Sequence, residues 1–428
     1  MTGTGWKIEQ IDLQAGIPNM ALADQYRGIY AVFWWGDIPL GHSKVLATEL
    51  PLSSDQLRYR VAAAIAPAVA AYNLPEQFKA PLPHAIQTST STSNLESIIK
   101  IDRPFDRLPD SSDFSDSISV VICTRDRPDQ LEKCLRSLKS SPYPPQEIIV
   151  VDNAPHPEKT CQQVAQMPGV TYVLEPRPGL DIARNTGIHH SMGDIIAFTD
   201  DDVEIHPNWL IGVQRAFTNP HVNAMTGLVL PVEIETEAQD LFEEYWSFNR
   251  GYCRLEFDTQ YFQQLKPWGV PAWCVGAGAN MAFRRSLFEQ VGEFDERLDV
   301  GAAGCSGDSE MWYRIMATGG TCCYEPTAVV FHRHRRELEG LKQQIFSYMR
   351  GHVAALLIQF ERTGHWGNLR RLFLSLPQYY IKLLGQRYVK GYRPRHLTLF
   401  REIRGCLSGI GFYLLDRFKS VFSLFSFS

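Results

Sequence analysis

The chain has 428 residues, 44% of them hydrophobic and 21% charged, which exceeds the usual single-domain size and excludes a disordered or fibrous polypeptide. A formal net charge of -5 excludes nucleic-acid binding by the chain as a whole, and a mean hydropathy of -0.19 excludes a polytopic membrane protein. Nine cysteines without C-x-x-C spacing predict free thiols in a reducing, cytoplasmic compartment rather than a disulfide framework or zinc cluster.

The opening run MTGTGWKIEQIDLQ has no basic stretch followed by an apolar one, so no secretory signal is expected. Residues 1–83 read as a small α+β module. Two β-rich runs in GIYAVFWWGDIPLGHSKVLATELPL flank turn residues, and an alanine-rich helix follows from about Ser54 to Ala71. Residues 84–116, rich in Ser, Thr, Asp and Pro, read as a linker. From Ser117 the runs SISVVICT, EIIVVDN, VTYVLE and DIIAFTDDD alternate with helical stretches such as PDQLEKCLRSLKSS and LDIARNTGIHHSM. That order predicts an α/β domain over 117–336 with a mostly parallel sheet between helices. Residues 337–428 read as a helical region. From Arg335 onward the chain holds sixteen Lys or Arg against five acids. The net charge of -5 is therefore a sum of opposites. Pro377 and frequent charges interrupt RRLFLSLPQYYIKLLGQRYVKGYRPR, so this run is no simple transmembrane helix. Its basic and aromatic character suits either a peripheral contact with an anionic membrane surface or a helical subdomain packed on the sheet.

The chemistry concentrates at strand ends. Asp200, Asp201 and Asp202 close an apolar strand, with Asp200 and Asp202 facing one side by alternation and Asp201 the other. Adjacent carboxylates repel unless a cation or several donors compensate, and hard oxygen ligands suit Mg²⁺ or Mn²⁺. Taken alone, the triplet is also readable as an acidic loop. Two further strands end in polar groups, at Thr124, Arg125 and Arg127 and at Asp152, and ligands of open α/β sheets bind beyond such ends. Thr124 and Asp152 suit a uracil-like base. GAGAN, from Gly276 to Asn280, lets backbone approach a sugar closely, and Trp268 and Trp273 before it offer indole faces for sugar stacking; ordinary core or loop tryptophans fit equally. GEFD at Gly292 reads as a helix-ending turn.

The segments SISVVICTRDRPDQLEKCLRSL, EIIVVDN, RPGLDIARNTGI, GDIIAFTDDDVEIHPNWL and GAGANMAFRRSLFEQVGEFDERL resemble, in order and spacing, the successive motifs of a family 2 glycosyltransferase with the GT-A fold. The resemblance spans about Ser117 to Arg336. It implies that Asp200 and Asp202 hold the metal and the nucleotide sugar, that Asp152 contacts the base, and that Arg184 and Asn185 lie near the nucleotide. In AAGCSGDSEMWYRIMATGG it implies a catalytic base at Asp308 and a further acid at Glu310, which faces a sugar; the acid that usually precedes the base is replaced by Gly307. The competing role for Asp308 is a helix N-cap. The resemblance also favours a histidine in the metal shell, His332 ahead of His334, against a reading of both as surface residues.

Together these features predict an inverting transfer of sugar from a nucleotide-sugar donor, a UDP-sugar, to a hydroxyl of a saccharide or lipid-linked acceptor. The setting would be cell-surface polysaccharide or glycoconjugate synthesis at the cytoplasmic face of a membrane. A nucleotidyltransferase or a Rossmann dehydrogenase needs a Gly-rich phosphate loop where this chain has TRDRPDQLEKCL. A non-catalytic carbohydrate-binding protein has no use for Asp200, Asp202 and Asp308 together.

Overall fold

In the computed structural model, residues 3, 5–18, 20, 25–73, 116–155 and 159–425 are described. The linker read over 84–116 therefore lies outside the described residues except at Asp116.

The N-terminal module is a three-stranded sheet of β1 (Gly5–Asp12), β2 (Tyr26–Trp35) and β3 (Ile38–Leu46). β2 and β3 pair antiparallel across Gly36 and Asp37, where Gly36 takes a φ of 56°; a left-handed turn of this kind suits glycine. The sequence reading missed β1, which runs parallel to β2. Its Lys, Glu and Gln are poor strand formers, and it holds its place by burying Trp6 and Ile11. The helix Ser54–Asn73 covers this sheet with Val61, Ile65 and Ala68.

The main sheet has nine strands: β4 (Ile118–Thr124), β5 (Glu147–Asn153), β6 (Val170–Glu175), β7 (Ile195–Asp200), β8 (Val203–Ile205), β9 (Val222–Pro231), β10 (Leu255–Phe257), β11 (Asn280–Arg284) and β12 (Thr321–His332). The order is β6-β5-β4-β7-β11-β9-β12-β10, with β8 against β12. β6, β5, β4 and β7 are parallel, as are β9 and β12. β11 runs antiparallel between β7 and β9, and β8 and β10 are antiparallel to β12, so the sheet is mixed to a greater degree than the alternation of elements predicts. Because β11 reverses direction between two groups of strands that share one, the carboxyl ends of β4, β5, β7 and β12 and the amino end of β11 meet at one edge.

Strand alternation divides the core between two faces. Val120, Ile122, Ile148 and Val150 pack under the helices Pro128–Lys139 and Trp209–Phe217, while Val121, Ile149, Phe198 and Phe283 pack under Leu180–His190 and Gly307–Ala317. Gly292, with a φ of 77°, ends the helix Leu287–Val291.

The C-terminal region is helical: Leu338–Thr363, Trp366–Arg370, Leu376–Lys390 and Leu399–Phe425. The first of these packs so closely on the loop before residue 307 that a Cβ at Gly351 would lie 2.3 Å from the Cys305 carbonyl oxygen. Its inner face buries Leu341, Ile345, Val353 and Leu356. The outer helices leave Phe373, Ile381, Tyr388, Val389, Phe400, Leu415 and Phe418 exposed. Among the described residues, no helix is long and apolar enough to cross a membrane.

Candidate active site

The shared sheet edge opens into a cleft of about 3370 Å³. Thr124, Arg125, Arg127, Arg184, Asp200, Asp201, Asp202, Trp273, Gly276, Gly278, Asp308, His332 and His334 all line it. The four non-glycine residues with positive φ among those described, Asp126, Ala154, Asp299 and Ser306, stand on loops at this edge. Backbone strain of this kind is sustained where surrounding structure over-determines it, and it gathers at functional sites.

The aspartate triplet divides its work. Asp201 turns to β4, accepting from the Thr124 hydroxyl at 2.7 Å and from Arg127 at 3.1 Å. Asp200 and Asp202 gather with His332, one ligand atom from each lying within 4.8 Å of the others. Burial and the neighbouring Asp202 charge push Asp200 up to about 6. Asp202 moves the other way: burial acts to raise it, but His332 and Arg127 outweigh that and hold it at about 2. Nε2 of His332 stands 3.3 Å from Oδ1 of Asp202.

His334 is not part of that group. Its Nε2 lies 2.6 Å from Glu243 and its Nδ1 faces Nδ1 of His332 at 3.2 Å. This corrects the expectation that His334 shares the metal shell. Burial lowers the pKa of His334, so its single ring proton goes to the carboxylate of Glu243. Nδ1 of His334 is then an acceptor, and His332 donates to it from Nδ1. Burial acts to lower the pKa of His332, but Asp202 outweighs it and raises that pKa. Nε2 of His332 therefore holds a proton toward Asp202 in the absence of a cation, and a bound cation would take that proton's place.

Asp308 lies in the first turn of Gly307–Ala317, whose N-cap is Ser306 rather than Asp308. One carboxylate oxygen accepts from the Ser309 amide at 2.6 Å, and the other leaves the helix to accept from the Gly278 amide at 2.8 Å. Burial and the nearby Asp299 raise its pKa. A Cβ at Gly278 would lie 2.9 Å from Arg184 Nη2 and 3.0 Å from Asp308 Oδ2, so glycine is needed there for the approach of these two side chains. Arg184 is itself clamped by Asp181 at 2.9 Å and Asp299 at 2.8 Å. Oδ2 of Asp181 is buried without a hydrogen-bond partner, and a Cβ at Gly307 would come within 2.0 Å of it. The missing acid of the Gly307 position thus faces a carboxylate supplied by another helix.

Three residues expected to face a ligand have their side chains engaged within the fold instead. Asn280 spends its amide on the Leu228 and Ala328 carbonyls and on the Trp209 indole. Asn185 clips both backbone groups of Phe294. Glu310 is fully buried and bonded to Arg314, with Arg362 beside it. Asp152 is fully buried next to Asn153, which lines the cleft; one oxygen accepts from Tyr172 at 3.0 Å and Oδ1 has no hydrogen-bond partner. Trp268 stands outside the cleft under Arg370. The sequence reading missed Asp181, whose spacing of three from Arg184 on a helix signals an ion pair. It also missed Asp299 and Glu243, for which no local pattern exists.

Residues 119–292 match the model of glycosyl transferase family 2. The chain is 26% identical over 264 residues to the glycosyltransferase AglE of Haloferax volcanii, covering 60% of this chain and 77% of that one. It is 25% identical over 231 residues to the pre-mycofactocin glycosyltransferase of Mycobacterium tuberculosis, covering 54% of this chain and 45% of that one. Among solved structures, a mannosyltransferase of Pyrobaculum calidifontis in complex with GDP-Man and Mn²⁺ superposes with a TM-score of 0.46 at 18% identity, over 71% of this chain and 90% of that one. Motif order and family model agree on a glycosyltransferase, with the match to family 2 confined to residues 119–292.

Proposed function

We propose that the protein transfers a sugar from a nucleotide diphosphate donor, a UDP-sugar, to an acceptor hydroxyl with inversion, and that Asp308 is the general base. One observation carries this reading: the backbone amide of Gly278 fixes one oxygen of a carboxylate with a raised pKa in the cleft that also holds Asp200, Asp202 and His332. An inverting displacement requires the acceptor hydroxyl to lose its proton as it attacks from the face opposite the leaving diphosphate. Asp308 takes that proton, and the Gly278 and Ser309 amides keep the carboxylate oriented while it does so.

Asp200, Asp202 and His332 fit a divalent cation, Mg²⁺ or Mn²⁺. Two carboxylates and an imidazole nitrogen converge, and Oδ1 of Asp202 is buried with no hydrogen bond, an arrangement that a cation stabilises. When bound, the cation supplies positive charge against the diphosphate. Arg127 and Arg184 add fixed positive charge in the same cleft, and Thr124, Arg125 and Asp201 line its nucleotide side. Trp273, Gly276 and Gly278 border the space for the sugars. The acceptor is a saccharide or a lipid-linked molecule. The basic C-terminal helices, with their exposed aromatic and aliphatic side chains, support a peripheral seat on an anionic membrane surface, on the cytoplasmic side, where cell-surface glycoconjugates are built.

Asp308→Asn tests the assignment. Transfer should fall by about 10² to 10⁴, the range of a general base, while calorimetry still shows UDP binding in Mn²⁺. Loss of both would reassign Asp308 to structure, and UDP affinity unchanged in EDTA would remove the cation from Asp200, Asp202 and His332.

A further inference from the structure

Many of the described arginines are matched to a carboxylate. Arg127, Arg184, Arg254, Arg297, Arg314, Arg333 and Arg395 each bridge to an Asp or Glu. Among the described residues, Arg250, Arg350 and Arg371 have no carboxylate within ion-pair distance; Arg215 shares this, but it lies on the helix Trp209–Phe217, apart from the other three. In each, the Nε is buried and has no hydrogen-bond partner. All three line the cleft that contains Asp308.

The three come from separate elements that meet around Trp273. Arg371 lies over the Trp273 indole, 4.1 Å from its ring centroid. Arg250 donates to the Trp273 carbonyl at 3.1 Å and to Ser247. Arg350, on the helix Leu338–Thr363, has its guanidinium against Phe412. Trp273 lies five residues before Gly278, whose amide holds Asp308, and it lines a small cavity with Ser309, the neighbour of Asp308, and with His352 of the Arg350 helix. Arg371 opens a π-helical turn, Arg371–Ser375, a backbone irregularity often found at functional sites. Burial lowers its pKa to about 10 with only Cys274 and Tyr261 acting against the fall. Half-buried guanidinium groups without counter-ions are costly to the fold, and a group that is costly in isolation marks a place for an absent anion.

We propose that Arg250, Arg350 and Arg371 form an anion subsite on the acceptor side of the cleft, which holds a phosphoryl group of the acceptor while its hydroxyl is presented to Asp308. This rests on the glycosyltransferase reading and narrows it: the acceptor is a phosphate-bearing molecule. Guanidinium forks pair with phosphoryl oxygens in a bidentate manner, and three from different elements match a group with several acceptor oxygens.

The experiment uses the full chain in EDTA, so that no cation draws phosphate to Asp200 and Asp202. Calorimetric titrations compare farnesyl phosphate, farnesol and inorganic pyrophosphate. Farnesyl phosphate should bind at least tenfold more tightly than farnesol, and pyrophosphate should compete with it. Arg371→Gln and Arg350→Gln should each weaken farnesyl phosphate about tenfold, with Arg371→Lys in between, while UDP binding in Mn²⁺ stays at the wild-type level. Equal affinity for farnesol and farnesyl phosphate, or unchanged affinity in both Gln variants that retain the wild-type melting temperature, would overturn the subsite. If Arg371→Gln lost UDP affinity as severely, the arginines would belong to the donor and the proposal would fall. Vesicles of phosphatidylcholine with and without phosphatidylglycerol separate the remaining source: flotation that requires Arg371 without any binding of farnesyl phosphate would give the anion to a bilayer headgroup and refute the acceptor assignment. Failure of the wild type to bind UDP would strike the donor reading and leave the anion result readable on its own.

Discussion

Asp308 carries its proton more readily than a free aspartate because burial disfavours the charged form and Asp299 repels it. A general base acts deprotonated, so transfer should be lost as pH falls through this raised pKa and recovered above it. Asp299→Asn removes one cause of the rise. It should move the acid limb of the kcat/KM profile to lower pH; an unmoved limb would take Asp299 out of the account. The relay behind His332 allows a second measurement. Ligand orientation by an outer hydrogen-bond partner is typically worth about 10- to 100-fold in metal affinity. His334→Gln or Glu243→Gln should weaken Mn²⁺ by that factor without abolishing binding, whereas His332→Ala should weaken it further. At this scale the sequence reading reached residues whose type and neighbours declare their chemistry. Strand ends and alternation single out Asp200 and Asp202, whereas alternation places His332 and His334 on one side and only the resemblance prefers His332. Asn280, Asn185 and Glu310 look the same in a motif whether they face a ligand or the core, and only the Leu228, Phe294 and Arg314 partners decide between the two.

The helix Glu237–Tyr245 joins two parts of the molecule. Glu243 on one side braces His334. Asp240 on the other receives the Trp6 indole at 2.9 Å, Arg27 at 2.9 Å and Lys44 at 3.2 Å from the N-terminal sheet. The Trp6 amide adds a bond to the Ile234 carbonyl. Asp240→Ala would leave two cations and an indole donor facing one another. A cost of about 1.5 to 3 kcal/mol is expected for hydrogen bonds to a charged group, readable as a lower denaturation midpoint. An unchanged midpoint would show that the remaining contacts, among them the Trp34–His206 stack and the His42–Tyr252 pair, hold the module without Asp240. The elements themselves were legible where β-branched runs are dense, as in SVVICT and EIIVV. β1 was not, since its sequence is polar and its stability comes from the pairing with β2. The reversed β11 was not, because a single short strand carries no mark of its direction.

The shifts in composition run alongside a three-stranded N-terminal sheet, a nine-stranded main sheet and a helical C-terminal region. The tail has features that bear on each of the two earlier readings. Its first helix packs on the loop leading to Asp308, while the outer helices present Phe373, Ile381, Tyr388, Val389 and Phe418 to solvent beside Arg and Lys. Binding to vesicles of anionic lipid should therefore weaken as salt rises, in keeping with a screening length of about 8 Å at physiological ionic strength. Paired Ile381→Ser and Val389→Ser changes should reduce flotation with no change in UDP affinity. Flotation from neutral vesicles at equal strength would remove the electrostatic part of this interpretation.

Gly307 and Asp181 stand on two helices that meet behind the base, and there is room for one side chain between them. The two positions are reciprocal: an acid on the 307 side demands a small residue at 181, and the acid at 181 demands glycine at 307. Either change alone creates a collision or an empty space beside Arg184, while the double exchange would carry the acid from one helix to the other. A side chain at 307 would therefore require the Asp181 carboxylate to move away from it or to be absent.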